Sequence, residues 1–209
     1  MRRLGMYGLS AFVALLICSV SQAAIIAQFT GTTPSGSNTS YNYNLVFSTN
    51  NALDRLDAGS GTLNPGVIGS ADFITLNDIG IGTGPNANLV SVTPGAGFTA
   101  SLQNLGINAA QTSPVDDPLL SNVTFTYTGA ATSTDTVFPG FSIVVNNNDG
   151  TTLKQFTGQY TDNAGPELDT KVGEIGLVAV PRTGTLIPEP GAVAMGLMSV
   201  LGLMARRRK

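Results

Sequence analysis

Short segments of alternating apolar and hydroxyl-bearing residues, turn-forming pairs between them and sparse helical patterning predict the fold class. It is mainly β: an antiparallel β-sandwich of jelly-roll or immunoglobulin-like topology. The alternation is clearest after Asn122, where Val123, Phe125 and Tyr127 interleave with Thr124, Thr126 and Thr128. Successive strand side chains point to opposite faces, so one face is buried and the other carries hydroxyls. Turn chemistry agrees. Asn147-Asn148-Asp149-Gly150 separates two candidate strands, and Asp-Gly pairs suit the positive φ angles of tight hairpins. Glu, Lys and Arg rarely recur at helical spacing, and Gly and Pro interrupt most stretches.

The chain opens on a secretory pattern. Arg2 and Arg3 supply a positive start, Leu9 to Val20 an apolar run, and Ser21 and Ala23 the small residues of a cleavage site. Residues 1–23 are therefore expected to be a signal peptide cut after Ala23, with Ala24 the alternative. Arg2-Arg3 lacks the neighbours that would support twin-arginine export, so ordinary secretion is favoured. Residues 24–180 carry the β-sandwich domain. Strands are expected at 25–30, 41–47, 71–77, 89–93, 97–103, 122–128, 141–146, 152–160 and 173–180. In the second of these, Tyr41, Tyr43, Leu45 and Phe47 share one face. Residues 31–40 read as a polar loop, and 102–110 alternatively as a short helical turn. Asn64-Pro65-Gly66, Thr93-Pro94-Gly95 and Phe138-Pro139-Gly140 read as Pro-Gly turns. Residues 181–187 are the expected linker.

The end of the chain has three parts in order: Ile187-Pro188-Glu189-Pro190, an uncharged apolar run over 191–205, and Arg206-Arg207-Arg208-Lys209. As a helix the run reaches roughly 22 Å at about 1.5 Å per residue. A full hydrocarbon core needs about 20 residues, so the span is short, and snorkelling cations or local bilayer thinning close the gap. The terminal cations favour the cytoplasmic side. Pro188 and Pro190 cannot continue a helix and leave an extended segment just outside the membrane. Residues 188–209 are thus expected to hold a short C-terminal transmembrane helix with a basic tail.

These three features resemble the PEP-CTERM sorting signal of exported bacterial proteins. Pro188, Glu189 and Pro190 match the motif residue by residue, Ile187 stands where Val is common, and Arg206, Arg207 and Arg208 supply the basic cluster. The resemblance covers the C-terminal tenth of the chain. It implies handling by exosortase, a membrane-embedded processing enzyme, and a link with exopolysaccharide or biofilm production. It implies nothing about the activity of the body.

Composition bounds that activity. The part between the two ends is long enough for one domain with a sizeable core. Its twelve carboxylates, from Asp54 to Glu174, face only Arg55, Lys154, Lys171 and Arg182, so it carries about −8 where the whole chain carries −3. Such a surface repels phosphate backbones and argues against nucleic acid as a partner. The chain has no His, which removes the commonest general base and transition-metal ligand. It has no Trp, the strongest stacking platform for sugars. Its one cysteine, Cys18, lies in the expected signal, so the mature chain has no disulfide and no thiol chemistry. A lipoprotein reading of Cys18 fits poorly, because Ile17 precedes it where a small residue is wanted.

Several local features have two readings. Asp54 and Asp57, followed by Gly59-Ser60-Gly61, are the candidate calcium ligands, since calcium takes oxygens from such loops. The competing reading is a polar turn with a local ion pair. Residues 146–149 are rich in side-chain oxygen but lack the spaced acids of an EF-hand loop. Asp116-Asp117 offers half of an acid/base pair, yet adjacent strand residues diverge, and the flanking prolines suggest a turn. Gly80-Ile81-Gly82-Thr83-Gly84 lacks the Lys of a phosphate loop. Tyr41 and Tyr43 read as a sugar platform or, in phase with Leu45 and Phe47, as core. The expectation is a non-catalytic exported protein of the envelope or extracellular matrix, with polysaccharide as one candidate partner. The alternatives are a carbohydrate- or calcium-binding adhesion module and a secreted hydrolase with paired carboxylates. Only Glu167, Glu174 and Glu189 are available as glutamates for the last.

Overall fold

The computed structural model describes residues 24–49, 53–79, 89–146, 150–163 and 168–182. Among them the chain forms ten strands and no helix: β1 (Ala24–Ser35), β2 (Asn38–Ser48), β3 (Asp54–Arg55), β4 (Phe73–Leu76), β5 (Leu89–Thr93), β6 (Phe98–Gln103), β7 (Asn122–Tyr127), β8 (Thr136–Val145), β9 (Thr151–Asp162) and β10 (Lys171–Pro181). Every pairing is antiparallel. The smaller sheet has the order β1-β2-β8-β5 and the larger β10-β9-β4-β7-β6, with β3 joined to the C-terminal end of β9.

Period-two patterning sets the core. From the smaller sheet, β2 sends Tyr41, Tyr43, Leu45 and Phe47 inward, and β8 sends Phe141, Ile143 and Val145. The larger sheet answers with Ile74 and Leu76 of β4, Val123, Phe125 and Tyr127 of β7, and Phe156 and Tyr160 of β9. The sheets meet ring to ring: Phe141 lies 4.9 Å from Phe125 and 5.1 Å from Phe98 in edge-to-face geometry. Such pairs add about 0.5–1.5 kcal/mol beyond the area they bury. Two antiparallel sheets sharing one apolar core is an arrangement consistent with a β-sandwich.

Three expectations are corrected. Residues 31–40 are not a loop, because β1 and β2 run on as one long hairpin closed at Gly36 and Ser37. Gly36 takes a φ of 65°, which the tight turn requires. The segment is polar because its side chains lie near a sheet end, not because its backbone is unpaired. Residues 138–140 do not end a strand either. β8 passes through them, its register against β2 shifting between Tyr43 and Leu45. Pro139 has no N–H to give a ladder, and Gly140, at φ 88°, absorbs the irregularity. Finally, no helical turn forms over 102–110; β6 extends to Gln103 and the chain then bends away.

Gly158 of β9 lies directly against Ile25 of β1. A Cβ there would lie 2.3 Å from Ile25 Cγ2 and 2.9 Å from the Ile25 carbonyl oxygen. Gly158→Ala should therefore lower unfolding stability by about 1–3 kcal/mol, as overpacking does. Denaturant titration reads this directly, and an unchanged midpoint would mean that β1 does not press on β9.

Candidate functional site

Over its middle strands the larger sheet is buried on its outer face as well, and there that face is polar. Alternation places Thr75 of β4, Thr124 and Thr126 of β7, and Thr157, Gln159 and Thr161 of β9 there, all buried. Two connections roof it, residues 56–72 and 104–121. Buried polar groups need partners, and the roof supplies them. The Thr75 hydroxyl lies 2.8 Å from the Ile107 carbonyl and 2.8 Å from the Thr124 hydroxyl. Gln159 accepts from the Gly66 N–H at 3.0 Å and donates to the Ala71 carbonyl at 3.3 Å. At the far end the Val115 N–H donates to Gln155 Oε1 at 2.6 Å.

An ion pair lies in this layer. Lys171, the first residue of β10, and Asp72, just before β4, have side chains 1% and 0% exposed, with Nζ 2.8 Å from Oδ1. Thr161 joins them, accepting from Lys171 Nζ at 2.6 Å and donating to Asp72 Oδ2 at 2.9 Å. The Asp57 N–H donates to the same Oδ2 at 2.7 Å. Burial pushes the Asp72 carboxyl up to about 6, against the opposing pull of Lys171 and these donors. The second lysine of the body repeats the motif at the other end of the sheet. Lys154 Nζ sits 3.0 Å from Oδ2 of Asp78, whose side chain is nearly buried.

Beside Lys171 an open cleft of about 800 Å³ lies between the two roof segments and the start of β10. Pro65, Ile68, Ala110 and Val172 give it apolar walls, and Gln111 and Asp162 are among its polar groups. The ammonium of Lys171 is already committed to Asp72 and Thr161. The chemistry on offer is hydrogen bonding to a small polar molecule.

The residues singled out in the sequence fall as follows. Asp57 accepts from Arg55 Nε and Nη2 at 3.2 Å and from the Gly59 N–H at 2.9 Å. Burial raises its carboxyl, but the Gly59 N–H and the Arg55 guanidinium outweigh that and hold it below its ordinary value. Arg55 also reaches Asp169 at 2.5 Å and Asn163 at 2.8 Å. Asp57 thus sits in a local ion-pair knot, while Asp54 lies on β3 opposite Asp162 of β9. Among the described residues no group of three or more His, Cys, Asp or Glu is placed to hold a metal ion. Asp116 and Asp117 serve different partners. Asp116 accepts from the Gly106 N–H and Asn122 Nδ2, and Asp117 from the Leu119 N–H. Tyr41 and Tyr43 are core residues and form no sugar platform, being 0% and 1% exposed. Ala23, Pro188, Glu189, Pro190, Arg206, Arg207 and Arg208 lie outside the described residues, as do Gly80 to Gly84. Asp72, Lys171 and the cleft were not anticipated. The one available signal was that a body with only two lysines places one at the head of a strand whose only other charged residue is Glu174.

The chain matches no protein-family model and no curated protein.

Removing one member of a buried pair strands the other's charge. Lys171→Met should cost about 3–5 kcal/mol in chemical denaturation at pH 7, above the folded pKa of Asp72. The pH dependence has a defined sign. Because the folded pKa of Asp72 is raised from 3.8 to about 6, the folded chain holds a proton that the unfolded chain releases. Asp72's own contribution is complete below pH 3.8 and lost as pH rises through about 6. The stability difference between wild type and Asp72→Asn should therefore grow as pH falls from 7 to 4. A difference independent of pH would overturn this assignment.

Proposed function

We propose that this chain is an exported, non-catalytic protein of the cell envelope or extracellular matrix, sorted by its C-terminal segment. The observation that carries this reading is the order Pro188-Glu189-Pro190, apolar run 191–205, Arg206-Arg207-Arg208-Lys209 at one end and a secretory pattern cut after Ala23 at the other. In this reading an exosortase-type enzyme recognises the tail, a short helix holds the chain in the membrane transiently, and the body is carried outward. The body supports it in two ways. Its fold uses neither disulfide nor metal ligation by thiols, so it can form wherever the chain emerges. Its buried carboxylate and ammonium are spent on each other, as in a structural scaffold.

The cleft beside Lys171 favours a second reading, an adhesion module that binds carbohydrate through hydrogen bonds. Asp162 and Gln111 are its recognition residues. Glycan-array binding that falls at least ten-fold in Gln111→Ala supports it; a blank array removes it.

Replacing Pro188-Glu189-Pro190 with three alanines tests the sorting reading in the native host. The expected result is a mature protein that is heavier by the retained tail and stays in the membrane fraction. An intact mass and distribution identical to wild type would mean that no processing enzyme reads the motif.

A further inference from the structure

The roof over the larger sheet does not reach its end. Past Val115 the outer face of the β9–β10 arm is bare, and it is apolar. Register puts Leu177 opposite Gln155, Ala179 opposite Leu153 and Ile175 opposite Thr157, so these side chains share one face. Leu153 is 65% exposed, Leu177 63%, Ile175 44%, and Val115 at the roof's edge 75%. No charged residue stands among these paired positions, in a body whose carboxylates outnumber its cations three to one. A strip of large aliphatic side chains on a long edge strand is the kind of surface that soluble chains usually cover.

The position of the strip in the chain says what covers it. β10 ends at Pro181, opposite Thr151, and the Arg182 N–H still donates to the Gly150 carbonyl. The Leu153–Ala179 pair is three residues back from that exit, about 10 Å along the strand. In the other direction eight residues separate Arg182 from Gly191, where the apolar run begins, a reach of at most about 30 Å. A helix in the membrane at 191–205 therefore tethers the strip within a short chain's length of the lipid. A tether this short sets an effective concentration of order millimolar, so a weak apolar contact suffices. The absence of charge on the strip also selects the partner: the acidic body is repelled by anionic surfaces, while this face meets zwitterionic lipid without penalty.

We propose that the outer face of the β9–β10 arm, through Leu153, Ile175, Leu177 and Val115, rests on the surface of a phospholipid bilayer while the chain is anchored. This lays the larger sheet's free end against the membrane and turns the smaller sheet away from it. The inference rests on the anchoring role proposed above for residues 191–205.

The test uses the full chain in a Cys18→Ser background, reconstituted into phosphatidylcholine vesicles with brominated acyl chains. Single cysteines at Leu177→Cys, Ser91→Cys and Gly196→Cys carry a fluorophore that bromine quenches. Ser91 lies on the outer face of the smaller sheet, opposite Val144. Quenching at positions 196 and 177, with 177 at least three-fold above 91, is the expected result. Quenching at 196 with 177 no greater than 91 overturns the inference and leaves the anchor standing. Quenching at 177 but not at 196 supports lipid contact and refutes the anchor. No quenching at either overturns both. Self-quenching between labels at 177 without bromine identifies a second copy as the occupant, which also overturns lipid docking.

Discussion

A carboxylate and an ammonium, both fully desolvated, sit under the roof of the larger sheet, and much of the surrounding geometry follows from them. Asp72 and Lys171 are tolerable there only because each remaining lone pair and proton has a partner. Thr161 bridges them, and the Asp57 N–H reaches over from the connection that follows β3. Meeting that demand fixes the start of β10 against the end of β9 and pulls residues 56–72 down onto the sheet. The Thr and Gln side chains around the pair extend the same requirement across β4, β7 and β9. A sheet that might have exposed a hydroxyl face to water instead becomes the middle of a three-layer structure.

The two sheets therefore solve different problems. The smaller one follows the common pattern of one apolar and one wet face: Tyr41, Tyr43, Leu45 and Phe47 point in, and Asn42 and Ser142 face outward opposite each other. The larger one is covered on both sides across β4, β7 and much of β9, by aromatic packing on one face and by hydrogen bonds to loop backbone on the other. Its rigidity comes at the roof from main-chain carbonyls such as that of Ile107, which serves Thr75 and Thr157 at once. Those contacts are directional, so the loops are held in one arrangement and the cleft beside Lys171 keeps its shape.

Most strands were legible because period two is a local signal, and β7 states it residue by residue. The parts that were not legible are those whose meaning depends on a distant partner. Residues 31–40 look like a loop because Thr, Ser, Asn and Gly dominate them, and only pairing of β1 with β2 makes them strand. Pro139-Gly140 looks like a turn until the β2 register shows a strand passing through a bulge. Asp57 was legible as a local ion pair because Arg55 is two residues away. Asp72 and Lys171 are 99 residues apart in sequence, and neither has a neighbour that announces the other. Tyr41 and Tyr43 were legible as core through their phase with Leu45 and Phe47, and packing buries both.

Strand adjacency also has a consequence for how the chain reaches this state. β2 lies beside β8 and β4 beside β9, so each early strand takes a neighbour from the last third of the chain. A chain made from its N-terminus can close the β1–β2 hairpin early, yet the smaller sheet waits for β8 and the larger one for β9 and β10. Loop-closure entropy falls due before those distant contacts form, which slows such topologies. Both sheets are thus finished only by the last strands of the chain, and neither can form ahead of them.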